Sequence, residues 1–383
     1  MILTAPHIFL ENTFQTDVYI VFDESGFIQD VIKNPNYEVT DAQKLNGLLV
    51  PGFVNAHCHL ELSHMKGFIP RHIPMAEFAR ILIGNRHVAI DQQESKIREA
   101  VEQMVATGTV LVGDIANEEI TLNIKLDYTE RLNIHTFWEL FGLNEEKSLQ
   151  AFDKSLQIPE RYKAVTLVPH APFTVLPALM EKIVLWNKNY NTRMSIHALE
   201  SEDEMNYFKD HTGNFPAFFE SFAPDLRAPE AHPLDYFFRY FDKELKVLYV
   251  HMTEATVDEL KRIEEHTPDY YVCLCPRSNI FIHNKLPNVP IFDLEKVCLG
   301  TDSLASNDDL DLLKEILCLQ QAFPSIDLAM LLQSATINGA KALSSETVFG
   351  QFKRGFRPGA VEITGFDSKS AKLHQDSTAR RVI

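Results

Sequence analysis

Within PGFVNAHCHLELSH, from Pro51 to His64, three histidines stand beside one cysteine and one glutamate, directly after an apolar run. Imidazole, thiolate and carboxylate are the donors that transition metals take, so the stretch reads either as part of a metal site or as scattered polar residues. In an extended strand, residues i and i+2 share a face. His57 and His59 can therefore reach one ion while Cys58 points away and packs. His-x-His alone is a weak signal, but the pattern continues. His197 ends the apolar run of RMSIHALE, His251 that of VLYVHMTE, and Asp302 that of VCLGTDS. Neutral imidazoles with one carboxylate suit Zn²⁺ or Fe²⁺ better than Mg²⁺ or Ca²⁺, which take oxygen ligands. Glu200, three residues after His197, can relay protons between a metal-activated water and a leaving group. Beside Glu202, Asp203 and Glu204 it also reads as a solvated loop glutamate.

Such residues need a scaffold that brings distant strand ends to one point. From Leu48 onward, short apolar runs alternate with amphipathic stretches: LLVPGFVNAH, GTVLVGDI, NIHTFWELFG, AVTLVPHA, RMSIHALE, KVLYVHMT, YYVCLCPRSN and KVCLGTDS. Helical patterns such as ESKIREAVEQMVATG separate several of them. Runs this short and apolar suit a parallel sheet covered on both faces. Eight in series predict an α/β protein, a (β/α)8 TIM-like barrel over 52–344 with its functional residues at the C-terminal strand ends. A doubly wound open sheet is the alternative, but no Gly-rich phosphate loop follows the first strand. Residues 1–51 read as short strands and turns, and 345–383 as strand-like again (TVFGQFKRGFRPGAVEITGF), which predicts a small β-sandwich built from both chain ends. The aromatic stretch from Met205 to Phe241 reads as core packing of a long loop and helix, with a substrate or dimer surface as the alternative.

Composition narrows the class. The 383 residues carry 36 Lys and Arg against 53 Asp and Glu, a net charge of -17. Such a field repels phosphate backbones and anionic lipids, which argues against nucleic acid and membrane partners. Five cysteines in a chain of this length are no disulfide scaffold, so a reducing compartment is expected. Cys273 and Cys275 read as buried small hydrophobes. The N-terminus lacks the marks of a secretory signal, and no apolar run approaches a membrane span. The expectation is a soluble, cytoplasmic protein.

Together NAHCH, HALE, YVHMT, CPRSN and LGTDSLASND resemble the amidohydrolase superfamily. They are similar to its single-metal aminohydrolase branch of adenosylhomocysteine and methylthioadenosine deaminases, guanine deaminase and triazine chlorohydrolases. The resemblance spans nearly the whole chain. It implies one divalent metal, Zn²⁺ first and Fe²⁺ second, on His57, His59, His197 and Asp302. It also implies catalytic roles for Asp302 (proton acceptor), Glu200 (proton shuttle) and His251 (holding the attacking oxygen), and substrate contacts from His170, Asn279 and Ser306. Two-metal relatives carry a bridging lysine at the end of strand four, where this chain has VTLVPHA; Lys163 lies at that strand's start. CPRSN and LASND also read as helix caps. Glu61, His64 and His72 either touch substrate or are exposed loop residues. Arg80 and Arg86 offer guanidiniums for a nucleoside with no matching acid evident in the sequence. The implied reaction is hydrolytic deamination of an aminopurine nucleoside or base, with release of ammonia. Hydrolysis of another C–N or C–Cl bond is the enzymatic alternative and a non-catalytic scaffold the non-enzymatic one. A homodimer is the oligomer the resemblance suggests.

Overall fold

A computed structural model describes residues 1–37, 39–220, 223 and 226–383. Eight parallel strands form its centre. Phe53–Cys58, Thr109–Ala116, Asn133–Leu140 and Val165–Pro169, strands one to four, pair in sequence order as one four-stranded sheet. Arg193–Ala198, Lys246–His251, Tyr270–Leu274 and Val297–Leu299, strands five to eight, do the same in a second. Every residue of strands one, two, four and five is buried, as expected of short apolar runs covered on both faces.

Helices between strands cover them with one apolar face. In Ile90–Ala106 the buried positions are Gln93, Ile97, Ala100, Val101, Met104 and Val105, a stripe at helical spacing. Val257–His266 starts at a capping box in which Thr256 and Glu259 satisfy each other's backbone N–H groups. Pro177–Tyr190 opens with proline in its first turn and ends at Asn191 with φ 52°, a left-handed stop that asparagine tolerates.

The two sheets are linked at both margins, and the links run through residues singled out above. His197 N donates to His170 O at 3.0 Å, joining strand five to the end of strand four. Thr301 N and Asp302 N both donate to His57 O at 3.1 Å, joining the end of strand eight to strand one. Asn55 reinforces that second margin, since its Nδ2 donates to Thr301 Oγ1 at 2.7 Å and its Oδ1 accepts from Thr301 N at 3.2 Å.

The run LLVPGFVNAH is not one strand. Leu48–Pro51 pairs antiparallel with Ala360–Ile363, and only Phe53–Cys58 joins the parallel set. Gly52 lies between them, where an added Cβ would stand 2.4 Å from Val110 Cγ1 and 2.5 Å from Pro358 O. Ala379–Arg381, Ala360–Ile363, Leu48–Pro51, His7–Leu10 and Thr13–Gln15 make one five-stranded sheet from both ends of the chain. Ile28–Lys33, Val18–Phe22, Ile2–Thr4 and Ala42–Lys44 make a four-stranded one. Leu3, Ile8, Ile20, Leu49, Phe352 and Ala360 form an apolar cluster here, separate from the main core. The stretch before Ala360 forms turns where strand was expected, with Gly350, Gly355 and Gly359 at φ 87°, 83° and 65°.

The aromatic segment folds mostly into short helices, Glu202–Asp210, Phe215–Glu220 and Pro233–Phe238. Tyr207, Phe215, Phe219, Tyr236 and Phe237 are fully buried, so these rings serve the core and present no surface to a partner. Ser221, Phe222, Pro224 and Asp225 lie outside the described residues. Among the described residues no helix is long and apolar enough to cross a membrane.

Candidate active site

Strand ends deliver the polar groups to one region. His57 is the penultimate residue of strand one and His59 follows the strand, with their Nε2 atoms 3.2 Å apart. One ring nitrogen each of His57, His59 and His197 lies within 4.8 Å of the other two. Asp302, just beyond strand eight, places Oδ1 3.6 Å from His59 Nε2 and 3.8 Å from His57 Nε2. The ring of His251, at the end of strand six, is 5.3 Å from that of His197 and 5.7 Å from that of His57. Glu200 Oε1 lies 3.5 Å from His251 Nε2. The His170 ring sits 4.9 Å from that of His197, on the side of strand four. These seven residues form one group.

Hydrogen bonds fix the orientations. His197 Nδ1 donates to His170 O at 2.9 Å, so its Nε2 keeps a free lone pair. Asp302 Oδ2 accepts from Ser278 Oγ at 2.6 Å and Ser306 Oγ at 2.8 Å, which leaves Oδ1 toward the imidazoles. Leu60 N donates to Asp114 Oδ1 at 2.9 Å, anchoring the chain where it leaves His59. Four non-glycine residues here adopt left-handed backbone. Leu199, His251, Met252 and Asp302 have φ of 48°, 72°, 51° and 57°. Each such conformation costs about 1–3 kcal/mol in a non-glycine residue and persists only where surrounding contacts enforce it.

Electrostatics separate the two carboxylates. Burial pushes Glu200 well above the usual carboxylate range, and Asp302 and Glu204 push it further. Burial acts the same way on Asp302, but His59, His251 and the Ser278 and Ser306 hydroxyls together hold it below its ordinary value. Burial also lowers the histidines, His170 to about 3 and His197 and His251 to about 4, with His57 and His59 lowered too. Burial thus favours the neutral form of the imidazoles and the protonated form of Glu200, while the groups around Asp302 favour its ionised form. Neutral nitrogen donors with one anionic oxygen are what a borderline-soft divalent ion takes. The Nδ1 atoms of His57 and His251 are buried without hydrogen-bond partners.

The other residues expected at the site are placed as follows. Ser306 is fully buried against Asp302 rather than open to a ligand. Asn279 is buried and donates to Thr253 Oγ1, with its own Oδ1 unpaired. Glu61 is buried, and Arg86 Nη2 donates to its Oε1 at 2.6 Å. The acid that matches Arg86 thus exists, 25 residues earlier in the chain. Arg80 pairs with Glu77 on an exposed helix face. His64 is half-buried and both its ring nitrogens lack hydrogen-bond partners; His72 is exposed. His72 lines a cavity of about 330 Å³ with Ser201, Asp203, Glu254, His283 and Lys285.

Three further groups are not singled out from the sequence, although Glu139 lies near the end of the run NIHTFWELFG and so carries the same strand-end signal as the histidines. Ser278 sits inside CPRSN, but its bond to Asp302 spans 24 residues. Glu139 closes strand three and is buried with Oε1 unpaired, 3.7 Å from His197 Nδ1. Asn117 ties the pieces together, donating from Nδ2 to Glu139 O at 2.9 Å and from its backbone N to Glu61 Oε2 at 2.9 Å.

Comparison with known proteins gives a consistent picture. A family model described as the amidohydrolase family matches residues 48–377. An adenosine deaminase of Helicobacter pylori is 27% identical over 378 residues, 93% of this chain and 89% of that protein. An aminodeoxyfutalosine deaminase of a Nitratiruptor species is 26% identical, covering 86% of this chain and 82% of that one. Among solved structures, Helicobacter pylori aminofutalosine deaminase in complex with methylthio-coformycin superposes with a TM-score of 0.85 at 25% identity, with all of both chains covered.

Proposed function

The chain belongs to the amidohydrolase family, and from that membership we propose that it is a hydrolytic deaminase of adenine nucleosides that releases ammonia. The curated relatives support the substrate class, since two of them are deaminases named for adenosine and for aminodeoxyfutalosine. The observation that carries the mechanism is the pair of buried carboxyls whose pKa values are pushed apart, Glu200 up and Asp302 down, on either side of the imidazole cluster. One group suited to give a proton and one suited to take it are what addition of water and departure of ammonia require.

In this reading His57, His59, His197 and Asp302 hold one divalent ion, Zn²⁺ ahead of Fe²⁺, as the donor set supports. Such an ion, when bound, supplies the Lewis acidity that lets water ionise near neutral pH. Asp302 Oδ1 accepts a proton from the attacking water. Glu200 delivers its proton to a ring nitrogen as the ring carbon becomes tetrahedral, takes the proton of the added hydroxyl and passes it to the departing amine; the proton on Asp302 then restores Glu200. His251, in reach of Glu200, holds the incoming oxygen. His170 Nδ1 is bonded to Thr174 Oγ1 at 2.7 Å, which fixes its ring and turns Nε2 to the substrate. Ser306 acts through Asp302.

The same reading takes the two parallel sheets as a closed (β/α)8 barrel over 52–344, with 1–51 and 345–383 as a composite β-sandwich. The hydrogen bonds at both sheet margins support the first. The pairing of Leu48–Pro51 with Ala360–Ile363 supports the second. Five unpaired cysteines favour a cytoplasmic setting, and the family resemblance favours a homodimer.

The test couples metal analysis of protein purified without chelator to an ammonia-release screen of adenine nucleosides, with chloride release and ring opening followed in parallel. A stoichiometric divalent ion and ammonia from an adenine nucleoside are expected, both lost after chelation. In Asp302→Asn, turnover should vanish while the fold survives by circular dichroism; appreciable ammonia from that variant would count against the mechanism.

A further inference from the structure

Between the end of strand five and the helix Glu202–Asp210 the chain makes a turn it would not take unaided. Leu199 is fully buried with φ 48°, the left-handed region that a branched side chain resists. Its amide and that of Glu200 point away from any strand partner. Both go to one side chain: Leu199 N donates to Glu204 Oε1 at 3.2 Å, and Glu200 N to Glu204 Oε2 at 2.8 Å. Glu204 is 1% exposed.

A glutamate at the third helical position ordinarily reaches back to the N-cap amide, here that of Ser201. Glu204 bypasses it and takes the two amides before it. The Ser201 hydroxyl in turn accepts from Glu204 N at 3.2 Å, which sets the base of the side chain. From the other side, Met252 N donates to Ala198 O at 3.1 Å and Glu254 N to Leu199 O at 2.9 Å, binding the same turn to the end of strand six. The segment carrying Glu200 is thus held between a buried carboxyl and the strand that carries His251. A lone pair remains on each carboxyl oxygen in either protonation state, so both bonds can form whether or not the carboxyl is ionised.

We propose that Glu204 is the positioning residue of this site. Its two oxygens clamp the amides of Leu199 and Glu200 and so aim the Glu200 carboxyl at His251 and the imidazole cluster. The inference rests on the deaminase reading for its consequence and on the hydrogen bonds alone for its geometry.

Glu204→Gln tests it in the full-length, metal-loaded protein. The glutamine keeps the volume but sets an NH₂ group against one of the two amides. Hydrogen exchange of the peptide covering 199–201 should accelerate in the variant while the other core strands stay protected and the metal content is unchanged. With an adenine nucleoside, kcat should fall about 100-fold, the loss expected of a catalytic group displaced by an ångström, with KM nearly constant. The pH–rate limb that reports Glu200 should move to lower pH as that carboxyl gains water. Should Glu204→Gln not fold, Glu204→Asp, too short to reach both amides, takes its place with the same readouts.

Exchange at 199–201 as slow as in the wild type would overturn the clamp, and so would a rate loss fully accounted for by lost metal. Loosened amides with kcat and pH profile unchanged would overturn its role in the reaction. Exchange needs no substrate, so a wild-type protein that deaminates no adenine nucleoside sinks the proposed reaction and leaves the clamp to stand or fall on exchange alone.

Discussion

Glu200 and Asp302 have the same functional group and opposite chemistry. At Glu200 burial dominates, Asp302 and Glu204 add to it, and the protonated form is favoured. Asp302 is as deeply set, but two serine hydroxyls donate to it and two imidazoles face it, which together outweigh the desolvation. The separation predicts distinct losses. Glu200→Gln removes the proton donor while leaving every proposed metal ligand in place. Its kcat should fall by about 10²–10⁴-fold with metal content intact, measured by ammonia release and elemental analysis on the same preparation. Loss of the metal along with the activity would move Glu200 from proton transfer into the ligand set.

At the scale of elements, the site depends on how closely strand eight approaches strand one. Gly300 stands at that contact, where an added Cβ would lie 2.7 Å from His57 O and 2.9 Å from both His57 Cβ and Cys273 Sγ. The first two are backbone and stem atoms that cannot swing aside. Gly300→Ala therefore has to push the margin between strands one and eight apart, carrying the His57 and Asp302 backbones with it. Overpacking of this kind costs about 1–3 kcal/mol. The thermal midpoint should drop, and a chelator competition should show weaker metal retention than in the wild type. A variant that melts lower yet holds its metal equally well would show that the margin tolerates the shift.

For the whole molecule, buried ionisable groups outside the proposed ligand set contribute to the pH range of stability. Burial lowers His135 and His283 from 6.5 to about 4, so the fold keeps them neutral while the unfolded chain protonates them; stability falls as pH drops below 6.5. Burial raises Glu315 from 4.5 and Asp114 from 3.8, both to about 8. The fold keeps their protons while the unfolded chain releases them, and stability falls as pH climbs toward 8. Between 4.5 and 6.5 the two effects oppose each other, so maximum stability belongs in that window. Urea midpoints of metal-free protein should be higher at pH 6.5 than at pH 8, and a midpoint that rises over that interval would contradict the assignment.

The sequence by itself determined the period and order of the elements and the residue that ends each apolar run. Strand ends are read from local composition, which is why His57, His197, His251 and Asp302 were visible before any coordinates. The amidohydrolase family was legible for the same reason, in short motifs set at strand ends. Tertiary structure alone decided which distant groups meet. The acid for Arg86 is Glu61, the support of Asp302 is Ser278, and the acceptor for two turn amides is Glu204. It also divided LLVPGFVNAH between two sheets, because Gly52 can pass where a side chain cannot. Periodicity records the face a residue presents to its own element; burial, protonation and pairing depend on what the rest of the chain packs against that face.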